Sequence, residues 1–155
     1  DGSVTAASSS SISDGAAVVV MLGEEDATAR GLLPLARIVG HATHSQAPEW
    51  FTTAPIGAIH ALLERTGWTL DSVDLFEINE AFAVVAMAPM RELGIAHEHL
   101  TVNGGAWGLG HPIAASGCRL VVTLVNALRT RGGKRGIATL CIGGGEATAI
   151  AIELI

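Results

Sequence analysis

The stretch GIATLCIGGGEATAIAIEL, residues 136–154, contains two apolar runs, 137–142 and 147–154, separated by glycines. Short apolar runs bounded by glycine are typical of buried strands joined by a tight turn. The stretch therefore predicts an antiparallel strand pair near the end of the chain, and the other elements have to be arranged around that pair.

Upstream of this pair, strand-like and helix-like patterns alternate. A continuous apolar run predicts a strand over residues 16–22, and strand-like patterns predict further strands over residues 35–39, 73–78 and 101–103. Apolar residues at helical spacing, followed each time by glycine, predict helices over residues 56–66, 80–93 and 112–130. The order β-β-α-β-α-β-α-β-β predicts an α/β fold whose sheet is covered on both faces.

The remaining segments are predicted as loops. They are the Ser/Thr/Gly-rich residues 1–15, the polar connection 24–30, residues 43–55 and a glycine-rich loop before Pro112. Pro89 is expected to kink or shorten its helix, because proline has no N–H to donate within a helix. Pro112 suits the first turn of the helix that follows it.

Composition limits the class of protein. The chain has 155 residues, of which 49% are hydrophobic and only 15% charged, so we expect a substantial core and a surface that partly meets another subunit. The formal charge of −6 argues against nucleic-acid binding. The basic cluster of Arg129, Arg131, Lys134 and Arg135 is interpreted as favourable charge at a helix C-terminus.

Cysteine content and hydropathy indicate the compartment. Two cysteines, Cys118 and Cys141, without a C-x-x-C spacing predict neither a disulfide framework nor a zinc site, and they fit a reducing cytoplasmic location. No apolar run has membrane-spanning length and no targeting signal is visible, so we expect no membrane association. The pairs His41 with His44 and His97 with His99 are interpreted as solvent-facing loop residues rather than metal ligands.

Cys141 ends a predicted buried strand and runs into a row of glycines. Backbone N–H groups of such a turn can point at one spot, where they lower the pKa of a thiol or bind an oxyanion. The alternative is a buried, inert cysteine before an ordinary hairpin turn. This motif alone leaves both interpretations open.

Two polar groups stand at other element junctions. His111, between Gly110 and Pro112, can act as a general base or donate to an oxyanion, or it is a helix-start histidine bonded to the backbone. Asn79 follows a predicted strand and can hold a water or a carbonyl, with Glu80 orienting a neighbour; the alternative is that Asn79 caps the next helix.

Taken together and in order, these motifs resemble the thiolases, enzymes that make or break a carbon–carbon bond next to a coenzyme A (CoA) thioester. The matching blocks are NEAF at 79–82, GHP at 110–112 and CIGGG at 141–145, with VNGGA at 102–106 and LARI at 35–38 as supporting context. The block that holds the nucleophilic cysteine of that family does not occur in the sequence.

The resemblance implies a layered α/β fold with two similar halves. Residues 1–31 would supply the end of the N-terminal domain, with a CoA-contacting loop and its last strand, and residues 32–155 the complete C-terminal domain. Without the nucleophile, we expect this chain alone to be inactive in acyl transfer.

The resemblance also implies roles for individual residues. Cys141 would remove the α-proton of acetyl-CoA, and His111 would assist the nucleophile. His111 and a water on Asn79 would hold the enolate oxygen, while the Gly143 N–H would contribute to a second oxyanion hole. Ser10, Ala81 and Phe82 would contact CoA; for Ser10, the serine run 8–11 leaves the alignment open by one position.

The implied activity is reversible condensation of acetyl-CoA to acetoacetyl-CoA, or thiolysis of 3-ketoacyl-CoA. CoA thioesters are substrates, and no resident cofactor or metal is implied. The expected partners are the missing N-terminal half and further copies of the chain, as a dimer or tetramer. Two alternatives are a non-catalytic CoA- or acyl-binding scaffold subunit and a decarboxylating condensing enzyme; the latter fits less well because such enzymes usually lack a base cysteine in this block.

Overall fold

The computed structural model describes residues 2–155, so Asp1, the first residue of the predicted 1–31 unit, lies outside it. The strands are β1 (Ala36–Ser45), β2 (Leu75–Ile78), β3 (Arg135–Ile142) and β4 (Glu146–Leu154). The helices are α1 (Glu24–Ala29), α2 (Ala54–Thr66), α3 (Ala83–Leu93), α4 (Ala106–Leu109) and α5 (Ser116–Arg131). Short 3-10 helices occur at Ala6–Ser8, Pro48–Thr53, Leu70–Ser72, His97–His99 and Ile113–Ala115.

The four strands form one mixed sheet in the order β1-β4-β3-β2. β3 and β4 are antiparallel, with Ile142 opposite Glu146, so the predicted strand pair is confirmed. β4 also pairs antiparallel with β1, whereas β2 runs parallel to β3. The carboxyl ends of β2 and β3 therefore lie at the same edge of the sheet.

Both faces of the sheet are covered, as the α/β pattern predicted. Strand residues alternate between the faces, so that on β4 Ala147, Ala149 and Ala151 belong to one core and Ile152 to the other. The first core is completed by α2 and α3, and the second by α5. None of the helices within residues 2–155 is long and apolar enough to cross a membrane.

Residues 16–22 do not form the strand that their apolar run predicted. They carry no regular secondary structure, and Val18 and Val20 expose 81% and 87% of their surface. A strand needs a neighbour to accept its hydrogen bonds, and no strand among the described residues lies beside this segment. An apolar run alone is thus insufficient to form a strand here.

Two segments predicted as loops are partly regular. Residues 24–30 contain α1, whose first turn holds Glu24, Glu25 and Asp26, the charges that stabilise a helix N-terminus. Within 43–55, β1 continues to Ser45 because β4 extends to pair with it, and the Pro48–Thr53 helix follows. His41 and His44 accordingly lie on a strand rather than in a loop.

The predicted strand 101–103 is a turn. Only Leu100 forms a bridge, parallel to Phe76 of β2, and Thr101 then has a positive φ of 46°. The Ile78 N–H donates to the Thr101 Oγ1 at 3.2 Å, so a side chain replaces the neighbouring strand at this edge. A further strand hydrogen bond is therefore blocked at the end of β2.

Two helices start later than predicted and end where predicted. α3 begins at Ala83 and continues through Pro89 to Leu93, and α5 begins only after the 3-10 turn that follows Pro112. Gly67, Gly94 and Gly132 each cap a helix with a positive φ, which confirms the three predicted stops.

Candidate active site

The carboxyl ends of β2 and β3 bring two of the predicted site residues to one edge of the sheet. Asn79 directly follows β2, and its backbone N–H donates to the Thr139 carbonyl on β3 at 3.0 Å. Cys141 lies two residues beyond Thr139 on the same strand. Asn79 and Cys141 therefore both lie at the edge of the sheet where α/β folds hold ligands.

The Asn79 side chain is fully buried and faces His111. Its Nδ2 donates to the His111 Nε2 at 3.1 Å. α3 begins four residues later, at Ala83, and its N-cap is Phe82, without any side-chain capping bond. The interpretation of Asn79 as a helix cap is therefore wrong.

His111 is fixed through its backbone and its ring. The backbone N–H donates to the Ser11 carbonyl at 2.8 Å, next to a bridge between His111 and Ile12. The ring Nδ1 lies 2.6 Å from the Ser116 Oγ, in the first residue of α5. Both ring nitrogens thus contact side chains, rather than the backbone alone.

The His111 ring is held in its neutral form. Burial, followed by the positive charge of Arg119, lowers the pKa of His111 below its ordinary value. Both effects disfavour the imidazolium ion. At neutral pH the ring therefore has one unprotonated nitrogen, as a general base requires.

A buried ion pair stands behind Asn79. The Arg119 NH1 group donates to the Glu77 Oε1 at 2.9 Å, and its NH2 group donates to the Asn79 Oδ1 at 3.4 Å. Burial raises the pKa of Glu77 to about 7; Arg119 opposes this rise, and the nearby Glu80 adds to it. Asn79 is thus held between a cation and the imidazole of His111.

The motifs do not predict Glu77, Ser116 or Arg119 as members of the site. For Glu77 a signal exists, since a carboxylate inside an apolar strand and two residues before Asn79 has to share the face of that asparagine. For Ser116 and Arg119 the only sequence signal is their i, i+3 spacing, which places both side chains on one face of α5. That spacing becomes informative only when the position of α5 against β2 is known.

Cys141 is partly buried against the core formed with α2 and α3. Burial raises the pKa of its thiol, and a backbone hydrogen bond opposes this only in part. The expectation that the glycine-rich turn lowers this pKa is therefore wrong, because desolvation outweighs the backbone dipoles. At neutral pH the sulfur keeps its proton in the free protein.

The glycines after Cys141 form the turn between β3 and β4. Gly145 has a φ of +94°, and a side chain there would overlap the Gln46 carbonyl. Gln46 in turn donates its N–H to the Gly145 carbonyl at 3.0 Å, which fixes the turn against the chain that leaves β1. Gly143 is exposed, and its N–H donates to no acceptor within residues 2–155, so it remains open to a ligand.

The serine-rich segment is hydrogen-bonded to the residues that follow Asn79. The backbone N–H and the Oγ of Ser10 both donate to the Ala81 carbonyl at 3.0 Å, and Ser9 forms a bridge with Phe82. The Phe82 ring makes an edge-to-face contact with Phe51, with ring centroids 6.1 Å apart. The three residues predicted to contact CoA, Ser10, Ala81 and Phe82, are therefore neighbours.

Trp107 on α4 makes a second tie to this segment. Its indole Nε1 donates to the Ala7 carbonyl at 2.8 Å, and its backbone N–H donates to the Glu80 Oε2 at 3.2 Å. Glu80 thus orients a neighbour, as its place after Asn79 indicated. Residues 5–15 are held at Ala81, Trp107 and His111, over the edge that carries Asn79.

No three or more His, Cys, Asp or Glu side chains within the described part of the chain are grouped to hold a metal ion. His97 and His99 lie in an exposed 3-10 helix, and the His44 Nε2 contacts the Gln46 side chain at 3.1 Å. His97 and His99 are therefore surface residues, whereas His44 is half-buried with its ring against Gly57 of α2.

Comparison with known proteins identifies the family. The family model described as "Thiolase, C-terminal domain" matches residues 32–154. The chain is 48% identical over 153 residues to the acetyl-CoA acetyltransferase of Chromobacterium violaceum, which covers 99% of this chain and 39% of that protein. It is 48% identical over 152 residues to the cytosolic acetyl-CoA acetyltransferase of Mus musculus, with 98% and 38% covered.

The fold has a matching solved structure. The crystal structure of the Bacillus anthracis acetyl-CoA acetyltransferase superimposes with a TM-score of 0.96 and 46% identity, over 99% of this chain and 39% of that one. The chain thus spans about two fifths of the length of the relatives it matches. It belongs to the thiolase family and carries that family's C-terminal domain.

Proposed function

We propose that the protein carrying this chain is a thiolase-type acyltransferase. It would condense two molecules of acetyl-CoA to acetoacetyl-CoA and free CoA, or cleave a 3-ketoacyl-CoA with CoA in the reverse direction. The contact between the Asn79 Nδ2 and the His111 Nε2 supports this most directly. It joins an amide and a neutral imidazole at the sheet edge that also carries Cys141.

Cys141 would act as the base of the condensation. In the acyl-transfer step that comes first, the Cys141 thiol would give its proton to the CoA thiolate that leaves. The resulting Cys141 thiolate then accepts the α-proton of acetyl-CoA, so that an S–H bond forms and the C–H electron pair moves into an enolate. Burial raises the pKa of this thiol, and a thiolate of higher pKa is the stronger base. The enolate oxygen would be held by His111, whose Nε2 then carries the proton taken from the nucleophile, and by a water bound to Asn79.

His111 would also serve the nucleophile. A second cysteine, from the N-terminal region of such an enzyme, gives its proton to the His111 Nε2 and takes the acyl group of the first thioester. The open N–H of Gly143 would donate to the oxygen of the tetrahedral intermediate, together with the N–H of that cysteine. These roles need groups outside the chain, so we expect the 155 residues alone to be inactive.

Ser10, Ala81 and Phe82 would guide the pantetheine arm of CoA. The hydrogen bonds from Ser10 to the Ala81 carbonyl would fix the position of these residues beside the CoA arm, and Phe82 would offer an aromatic surface to it. CoA thioesters are then substrates, and we propose that the reaction needs no resident cofactor or metal.

The same proposal covers partners and location. The exposed Val18 and Val20 would pair with the N-terminal half, in keeping with a division into residues 1–31 and 32–155. A charged fraction of only 15% supports a homo-oligomer, a dimer or tetramer. Because relatives from mouse and rat are named cytosolic, we propose the cytoplasm, and a role in fatty acid metabolism.

The test uses the full-length native protein. We expect thiolysis of acetoacetyl-CoA, and exchange of the acetyl-CoA methyl protons with deuterated water. Cys141→Ala should lower the exchange rate about 100- to 10 000-fold, the usual contribution of a general base. Cys118→Ala, which changes the other cysteine of the chain on α5, is the matched control and should leave the rate unchanged.

The opposite result supports a different function. If the full-length protein binds CoA but catalyses neither thiolysis nor exchange, the proposal fails and the non-catalytic CoA-binding subunit becomes the better interpretation. If exchange survives in Cys141→Ala, Cys141 is not the base.

A further inference from the structure

The ion pair between Glu77 and Arg119 is poorly explained as a stabilising feature. Glu77 exposes 1% of its surface and the Arg119 side chain 18%, so both charges lose most of their hydration. A buried ion pair seldom stabilises a fold more than apolar residues of similar size would. Arg119 is also the fourth residue of α5, where the helix dipole disfavours a cation.

The geometry gives this ion pair a different use. Glu77 and Asn79 are two residues apart on an extended chain, so their side chains share a face. Arg119 contacts both, through separate nitrogens of one rigid guanidinium group. Ser116, three residues earlier on α5, reaches His111 from the same helix face. The first turn of α5 therefore holds Asn79 and His111 together.

The direction of each hydrogen bond follows from Arg119. A guanidinium group can only donate, so the Asn79 amide has to turn its Oδ1 toward Arg119 and its Nδ2 toward His111. The Nδ2 donates as well, so the His111 Nε2 has to accept and carries no proton. The neutral ring then has its proton on Nδ1, where it donates to the Ser116 Oγ at 2.6 Å.

We propose that Arg119, anchored by Glu77, is a positioning residue that orients the Asn79 amide and thereby keeps the proton of His111 on Nδ1. The Nε2 is then unprotonated, as the proposed proton acceptor has to be. Without Arg119 the amide is free to turn over, so that its oxygen faces Nε2 and favours the opposite tautomer. The consequence for turnover depends on the proposed thiolase function, whereas the tautomer itself does not.

The charged groups around this network are few. Glu77 faces Arg119 from β2, and Glu80 lies close to it. Arg119 also lines a cavity of about 170 Å³ together with Asp14 of the N-terminal segment. Among residues 2–155, Glu77 is the acidic residue that forms an ion pair with Arg119, and Arg119 donates to Asn79 as well.

The test has to remove the ion pair without leaving a buried charge. The double variant Glu77→Leu with Arg119→Met replaces both charges by apolar side chains of similar size, so its melting temperature should stay close to that of the wild type. Arg119→Lys keeps the positive charge but loses the planar guanidinium group, whose separate nitrogens reach Glu77 and Asn79. Arg129→Met, an exposed arginine on the same helix, is the matched control.

The first measurement is the ¹⁵N spectrum of labelled histidines in the full-length protein, with the His111 signals assigned by their loss in His111→Asn. We expect the wild type and Arg129→Met to show the Nδ1–H tautomer. The double variant should show Nε2–H or a mixture. A double variant that keeps the wild-type tautomer would overturn the inference.

The second measurement is steady-state thiolysis. We expect the double variant to lose about 100-fold in kcat with little change in KM, as misplacement of a reacting group does, and Arg119→Lys to recover part of that loss. A folded double variant with wild-type kcat means that the ion pair is only structural. If the wild type itself shows no thiolysis, the proposed function fails, and the ¹⁵N spectra still decide the tautomer.

Discussion

Residues 2–33 and residues 36–155 contain equally apolar stretches, yet only the second region builds a sheet. The run 16–22 (AAVVVML) and the run 137–142 (IATLCI) both consist mostly of apolar residues. Val18 exposes 81% of its surface in the first run, whereas Ile137 exposes none in the second. The difference lies in the neighbours, since β3 pairs on both sides and packs on both faces.

The same contrast applies to the chemistry. The groups with raised pKa values, Glu77 and Cys141, and the lowered pKa of His111 all lie in the sheet region and all result from burial. The N-terminal segment contributes hydrogen bonds: Ser10 donates to the Ala81 carbonyl, and the Ser11 carbonyl accepts from the His111 N–H. Packing therefore creates both the strands and the reactive groups, and changes in the two regions should differ in size and kind.

The largest effect is expected in the sheet region. His111→Ala in the full-length protein removes the proposed proton acceptor for the nucleophile and the proposed donor to the enolate, so kcat for thiolysis should fall about 100- to 10 000-fold. His99→Ala, an exposed histidine of the same region, serves as the control and should retain wild-type activity. If kcat falls less than tenfold in His111→Ala, the sheet region does not carry the larger share of the chemistry.

A matched pair of substitutions compares the stabilities of the two regions. Ile137→Ala should lower the free energy of unfolding of the 155-residue chain by about 2–5 kcal/mol, because it opens a cavity in the core. Val18→Ala should change it by less than about 0.5 kcal/mol, since the side chain is in solvent. Urea denaturation measures both. A loss above 1 kcal/mol for Val18→Ala would mean that the segment is packed.

The buried carboxyl group predicts a dependence of stability on pH. The pKa of Glu77 is raised from 4.5 to about 7 in the folded chain. The folded state therefore binds the Glu77 proton more tightly than the unfolded state does. This contribution to the free energy of unfolding is fully present below pH 4.5 and is lost as the pH rises through 7. Relative to Glu77→Gln, the wild type should lose at most about 3 kcal/mol across that range.

Unfolding curves of both proteins at pH 4.5, 6 and 8 measure this difference. The lowered pKa of His111 acts in the opposite sense, since its contribution is present above pH 6.5 and lost below it. It is common to both proteins and largely cancels in the comparison. A constant difference between them at all three values would show that Glu77 does not titrate in this range.

The smallest effect is expected in the N-terminal segment. Ser10→Ala removes the bond from its Oγ to the Ala81 carbonyl and leaves the backbone bond in place. One such bond contributes about 0.5–1.5 kcal/mol, so KM for CoA in the full-length protein should rise at most about tenfold while kcat stays unchanged. A large fall in kcat would mean that the segment takes part in the chemistry.

The sequence predicted much of this architecture because its signals are local. The pair β3 and β4, the three glycine-terminated helices and the covered sheet follow from apolar spacing and helix stops. The strand at 16–22 failed because it depends on a partner, and the turn at 101–103 because the Thr101 side chain takes the place of a strand. Such non-local effects leave no pattern in the sequence.

The site divides in the same way. Asn79, His111 and Cys141 stand at element junctions and belong to recognisable motifs, whereas Ser116 and Arg119 acquire a role only because α5 packs against β2. The raised pKa of Cys141 was also beyond the sequence, since glycine spacing indicates backbone dipoles but not the depth of burial.

The Thr101 side chain at the end of β2 has a consequence for the way this domain can vary in evolution. It occupies the hydrogen-bonding position that an added strand would need, and the opposite edge strand, β1, has an irregular register between Ile38 and Gly40. Edges of this kind also resist aggregation with other molecules. Inserted residues are therefore accommodated most easily in the connecting loops around the site, so substrate preference can diverge while the width of the sheet is conserved.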